Sequence, residues 1–160
     1  MDFDEYVRAR GPALLRFAYL LSGDRHTAED LTQTALQDAL VHWRKVTRAE
    51  HPERYLQRMI TNRFLQSRRR RASTEVVTAE PSGTAATGDG MAGVIDRDEI
   101  RRLLAHLPAR SRAVLILRYY LDLDDEAIAA FVGVAPVTVR SIVSRSLGAL
   151  RPLAAHRTES

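Results

Sequence analysis

Apolar residues recur at helical spacing in two blocks of the chain, separated by a stretch where no such stripe exists. In the first block Phe3, Val7, Leu14, Leu15, Ala18 and Leu21 lie three, four or seven residues apart, which places them on one side of a helix. Gly11-Pro12 marks a break or a helix start, and Ser22-Gly23 ends the pattern. Asp24 predicts the N-cap of a second helix, "RHTAEDLTQTALQDALVHW". Its buried side is Ala28, Leu31, Ala35, Ala39 and Val41–Trp43. Its polar side is Glu29, Asp30, Gln33, Gln37 and Asp38. Residues 44–52 read as a loop ending in His51-Pro52. A third helix over 53–71 carries Tyr55, Leu56, Met59, Ile60 and Phe64 on or near its apolar side.

In the second block Ile100, Leu103, Leu104 and Leu107 predict a helix that ends before Pro108. Ser111–Tyr120 predicts another, with Val114, Leu115, Leu117 and Leu121 inward. The acidic run 122–126 opens the next one, where carboxylates meet free N–H groups and the positive end of the helix dipole. No alternating segment bounded by turn residues predicts a strand. The fold class is therefore all-α, two small helical domains with three or four helices each.

The sharpest local pattern is "AIAAFVGVAPVTVRSIVSRSL", residues 127–147. Asp125–Val132 forms a helix, Gly133-Val134-Ala135 a turn, and Pro136–Leu150 a second helix. Gly133 suits the left-handed end of the first helix, and Pro136 suits the first position of the second, where a missing N–H costs nothing. Ile128, Val139, Val143 and Leu147 are placed to clamp the pair. Pro136, Val137, Arg140, Ser141, Ser144 and Arg145 are left outward, toward the N-terminal half where a recognition helix meets base edges. Thr138 lies among them. Arg140 and Arg145 suit guanine or phosphate equally.

Residues 72–95 hold four Gly, one Pro and three acids (Glu75, Glu80, Asp89) without a basic residue, and read as a flexible acidic linker between a domain at 1–71 and one at 96–160. Its root-mean-square span is roughly 27 Å and its full reach about 80 Å. Net charge is +5 before it, −3 within it and +2 after it, giving +4 for the chain. Lys45 is the one lysine; the other 23 basic residues are Arg. Seven of them crowd into 53–71 against the single acid Glu53, and four more fall between 127 and 157 with no acid. Two separate basic tracts point to a polyanionic partner.

Chemistry of other kinds finds little support. There is no Cys, hence no disulfide or thiolate metal site. No Gly-rich phosphate loop is present, and the five His (26, 42, 51, 106, 156) lack metal-ligand spacing. Neither an enzyme, a cofactor nor a metal is expected. With no apolar run long enough for a membrane span and an acidic start, "MDFDEY", the protein is expected to be cytoplasmic.

Three stretches together resemble the bacterial extracytoplasmic-function (ECF) sigma factors, subunits of RNA polymerase. "LPARSRAVLILRYYLDLDDEAIAAFVGVAPVTVRSIVSRSLGALR" (107–151) resembles their region four. "GDRHTAEDLTQTALQDALVHW" (23–43) resembles the core-binding helix of region two, and "PERYLQRMITNRFLQSRRRR" (52–71) the promoter-melting helix. The "QTAL" variant and compact length look closest to the actinobacterial SigE-like group.

The resemblance implies a non-catalytic subunit that binds core RNA polymerase and promoter DNA, both duplex and single-stranded, and leaves room for an anti-sigma factor. It implies that Glu29, Asp30, Gln33 and Gln37 meet the polymerase. It implies that Arg54, Arg58, Asn62, Arg63, Gln66 and Arg69 contact melted minus-ten DNA, with His51 or Tyr55 near a base pocket, and that Arg68–Arg71 grip the duplex upstream. Tyr55 and Met59 are read as packed rather than stacking on bases, and Trp43 as core. The helix-turn-helix then reads the minus-thirty-five duplex, and an acidic linker fits a basic channel of the polymerase. Relatives often carry a small residue where Val137 stands and a polar or basic one where Ile142 stands, so promoter preference is expected to differ there, unless Ile142 simply packs. The rival readings are a one-site helix-turn-helix regulator, which leaves the Arg-rich helix and the "AEDL-Q" helix unexplained, and an interaction protein that sequesters another factor.

Overall fold

A computed structural model describes residues 1–74 and 94–158, and every element in them is a helix. The chain divides into two compact units between residues 84 and 85. Four helices fall in each: α1 (Phe3–Ser22), α2 (Arg25–Val41), α3 (Trp43–Arg48) and α4 (Pro52–Thr74), then α5 (Val94–Ala105), α6 (Ala109–Tyr119), α7 (Asp125–Val132) and α8 (Pro136–Thr158). The central linker expectations, including those on Glu75, Glu80 and Asp89, lie outside the described residues.

In the first unit α1 runs unbroken through Gly11-Pro12, against the expectation of a break there. Pro12 removes one intrahelical hydrogen bond. Strong ends and a deeply buried C-terminal half offset that loss. Asp2 and Glu5 form a reciprocal capping box, and Gly23 closes the helix in the left-handed region at φ 71°. Leu14, Phe17, Ala18 and Leu21 are fully enclosed. Helix α1 packs on α2, where Ala28, Ala35 and Ala39 are buried and their small side chains suit close approach, and on α4, where Leu56, Ile60 and Phe64 are buried. The ion pairs Arg10–Glu53 and Arg63–Asp38 tie α4 to α1 and α2 respectively.

Two expectations around residue 42 are corrected. The second helix stops at Val41, which is 77% exposed rather than buried. Residues 44–52 are not all loop, because α3 occupies Trp43–Arg48. His42, at φ −111° and ψ 30°, makes the corner. Turning there brings the Trp43 ring edge-on to Phe3 (5.5 Å between centroids) and tilted against Tyr6 (5.3 Å). The aromatic contact with α1 accounts for the break that the apolar spacing alone did not reveal.

In the second unit α6 is the central helix, with residues 112–117 all buried. Arg112 is buried among them because it serves as a cap: its guanidinium donates from Nε to the Leu104 carbonyl (3.1 Å) and from Nη2 to the Leu107 carbonyl (3.4 Å), satisfying the end of α5. Asp122 takes a left-handed conformation (φ 56°) in the turn to α7, which Asp tolerates better than most residues. Gly133 (φ 74°) ends α7, as the turn pattern requires. The seam between α7 and α8 differs from the expected stripe. Among the described residues, Val139, Ile142 and Ser146 are the buried positions of α8, while Val143 and Leu147 are half-buried. Helix α8 also extends past Leu150 to Thr158, with Pro152 inside it. Among the described residues, no single helix is long and apolar enough to cross a membrane.

Candidate nucleic-acid and protein interfaces

Helix α8 owes its position to the turn before it. Gly133 donates its N–H to the Ala129 carbonyl at 2.8 Å, which closes α7, and Pro136 then starts α8. Burial of Val139 and Ile142 where α8 packs on α6 and α7 fixes the rotation of α8. That rotation leaves Pro136, Val137, Arg140, Ser141, Ser144 and Arg145 exposed, with Thr138 half-exposed. Val137 is 59% exposed, so an apolar side chain stands among the polar ones. Ile142, placed with Val137 as a determinant of preference, is only 3% exposed and belongs to the core. Arg145 leans along its own helix, Nε 3.4 Å from the Ser141 carbonyl. Arg140 approaches Asp125 of α7, with Nη1 3.6 Å from Oδ2, and Asp125 is also ion-paired with Arg118 of α6.

Helix α4 presents the second basic surface. Arg54, Arg58, Asn62, Gln66 and Arg69 are all exposed, and at about 100° per residue they span a face only about 120° wide. His51 is exposed just before the helix, and Tyr55 is half-buried at the edge of the same face. Met59 is half-buried. Arg63 departs from this group. It lies toward the opposite side, and its guanidinium is engaged by Asp38. Arg68–Arg71 are exposed at the C-terminal end, and the Arg68 guanidinium stands 5.9 Å from the centre of the Phe64 ring. This surface combines dense cationic charge with polar groups and carries no acid beyond Glu53, itself paired with Arg10. Such a face suits a phosphate backbone.

The third surface is a groove of about 580 Å³ between α1 and α2. Phe3, Val7, Gly11, Pro12 and Leu15 line one side, and Glu29, Thr32, Gln33, Leu36, Gln37 and Leu40 the other. Glu29, Asp30, Gln33 and Gln37 are exposed as a group, but only Glu29, Gln33 and Gln37 border the groove. Glu29 also pairs with Arg25 at 3.3 Å. The sequence reasoning missed the apolar floor. Its signal was present: Leu36 and Leu40 lie one turn apart, each one step beyond the alanine stripe, and Leu40 is 53% exposed. An apolar trough with amide and carboxylate rims is suited to a protein helix rather than to DNA. Among the described residues no group of three or more metal-ligating side chains converges, and His26, His42 and His106 are exposed.

Comparison with known proteins adds the following. Residues 6–74 match Sigma-70 region 2, and residues 97–150 match Sigma-70, region 4. The chain is 34% identical over 151 residues to an RNA polymerase sigma-E factor of Streptomyces avermitilis, covering 94% of this chain and 84% of that one. It is likewise 34% identical over 153 residues to the ECF RNA polymerase sigma factor SigL of Mycobacterium tuberculosis, covering 93% and 84%. Among solved structures it is similar to the sigma factor RpoE of Bartonella quintana, crystallised with the anti-sigma factor NepR, at a TM-score of 0.75 and 27% identity over 96% of this chain and 97% of that one.

Proposed function

This chain belongs to the ECF group of the sigma-70 family, and from that membership we propose how its surfaces divide the work of a sigma factor. It is a promoter-recognising sigma factor, a DNA-binding transcription initiation factor. Helix α8 enters the major groove of the upstream promoter element, where Arg140 and Arg145 are the cationic contacts and Val137, Ser141 and Ser144 shape the fit. Helix α4 holds the melted downstream element along Arg54, Arg58, Asn62, Gln66 and Arg69, with His51 and Tyr55 at its N-terminal end near an unstacked base. Arg63 takes a supporting part, holding α4 against α2 through Asp38. The domains follow as 1–71 for polymerase and downstream-element binding, 72–95 as linker and 96–160 for the upstream element. The protein works in the cytoplasm, where its polymerase and DNA are.

Core RNA polymerase docks on the α1–α2 groove, with a helix of the polymerase packing on Leu36 and Leu40 and hydrogen-bonding Gln33 and Gln37. Because the related RpoE is found with an anti-sigma factor, a protein of that kind is a further partner on this reading. The observation that supports the whole most strongly is the pairing of two basic helical faces, α4 and α8, on separate units that match regions 2 and 4 in chain order. A one-site operator reader has use for only one of them.

The test is co-elution of the chain with core polymerase stripped of its own specificity subunit. Leu36→Glu is expected to weaken retention at least about tenfold, since burying a carboxylate in an apolar contact is unfavourable by more than a kcal/mol. It should leave helix content unchanged. Full retention of Leu36→Glu would remove the groove from this assignment.

A further inference from the structure

Asp125 stands at the first position of α7, yet it is not the cap of that helix. Asp124 fills that role, accepting the Ala127 N–H at 2.8 Å. The Asp125 carboxylate is instead turned toward two guanidiniums, Arg118 at the end of α6 and Arg140 on α8. Its side chain is 22% exposed and that of Arg118 28%, whereas Arg140 is 64% exposed. The arrangement is a half-buried acid–base pair under a mostly open arginine.

We infer that Asp125 is a positioning residue for promoter recognition, fixing the Arg140 guanidinium so that its free edge meets a guanine, while Arg118 holds Asp125 in place. The inference rests on α8 being the duplex-reading helix. Two physical points favour a base over a phosphate. A phosphate accepts hydrogen bonds from many directions, so a fixed guanidinium plane gains it little, and a nearby carboxylate repels it. Guanine O6 and N7 demand a planar fork in one orientation, and an arginine already drawn toward a carboxylate 3.6 Å away loses less freedom in meeting that demand. Arg145 is also tethered, through Nε to the Ser141 carbonyl, but among the described residues no carboxylate is paired with it to repel a phosphate, so it suits one.

The role predicts two effects of opposite sign. Removing the charge of Asp125 should raise general attraction to duplex DNA while lowering discrimination. A merely structural role would lower both. The experiment uses polymerase holoenzyme and a pool of promoter duplexes whose upstream element is randomised, built on a promoter first enriched by the wild-type chain from a pool randomised in both elements. The readout is the base preference at each upstream position, alongside competition by unrelated duplex. Asp125→Asn is expected to cut a guanine preference at one position by about tenfold, the lower range for a good bidentate contact, with other positions retained and competition by unrelated duplex increased. Arg140→Ala should lose the same preference, and adding Asp125→Asn to it should change no base preference further, while still increasing competition by unrelated duplex. If Arg140→Ala costs a preference that Asp125→Asn keeps, or if Asp125→Asn lowers all positions together in either background, the positioning role is overturned and the helix assignment stands. If Arg140→Ala leaves every preference intact, the assignment of Arg140 to base reading falls with it.

Discussion

Tyr6 lies in the core of the first unit with its ring against Trp43, and its hydroxyl is buried without a hydrogen bond. Burial, and then the negative charge of Glu53, pushes its pKa up to about 12. The folded state therefore favours the protonated phenol. The stability this represents is complete below pH about 10, the ordinary tyrosine value, and is lost as pH rises toward 12. Tyr6→Phe should stabilise the unit by about 1 kcal/mol at neutral pH, because it removes an unsatisfied buried hydroxyl. It should also flatten the decline in stability between pH 10 and 12. Chemical denaturation across that range checks both. At this scale the sequence was only partly legible. Exposed polar residues such as Arg54, Arg58 and Arg140 could be placed from spacing alone. The pairing of Arg63 with Asp38, 25 residues away, could not. Nor could the burial of Ile142, since Val139 and Val143 make an equally good apolar stripe until α7 fixes the rotation of the helix.

Helix ends are where the elements were most legible, because their chemistry is local. Asp24 caps α2 with its carboxylate accepting from the Thr27 hydroxyl at 2.6 Å and the Thr27 N–H at 2.9 Å. Those two bonds, the hydroxyl's first, hold its carboxyl below the usual range. The stabilisation is present above pH about 4 and fades as pH falls through the lowered value. Asp24→Ala should cost about 1 kcal/mol at neutral pH and less in acid, as thermal unfolding across pH would register. Gly133 offers a cleaner case. A methyl group there would meet nothing within 4 Å, so only the left-handed backbone (φ 74°) opposes it. Gly133→Ala should cost about 1–2 kcal/mol and, by loosening the α7–α8 turn, weaken duplex binding more than polymerase binding. What hid from the sequence were interruptions set by distant contacts. The corner at His42 depends on Trp43 meeting α1, which no local signal carries, and the run of α1 through Pro12 draws on burial of its C-terminal half as well as on its local caps.

For the whole molecule the charge distribution was legible in the order of residues alone, since arginine clustering survives whatever the packing. The apolar groove of α1 and α2 was legible only in part: Leu36 and Leu40 carry a signal, but its other wall belongs to α1, and only packing brings the two walls together. Two small DNA contacts on separate units should make the free protein a weak binder, with the polymerase supplying the spacing that unites them. Binding by the holoenzyme should be steeply salt-dependent. Removing one arginine assigned to phosphate should reduce the slope of log affinity against log salt by about 0.7 for Arg69, on the melted strand, and by about 0.9 for Arg145, on the duplex. Retained slopes in both variants would place the phosphate contacts elsewhere. The central claim, that this chain directs a polymerase to promoters by gripping two elements, meets its most direct test in reconstituted transcription. Core polymerase lacking its own specificity subunit is supplied with this chain and a promoter enriched by the pair. Transcripts are expected from one defined start, lost when either element is replaced. Absence of any chain-dependent start, with the chain instead binding a single duplex site tightly in the absence of polymerase, would contradict it.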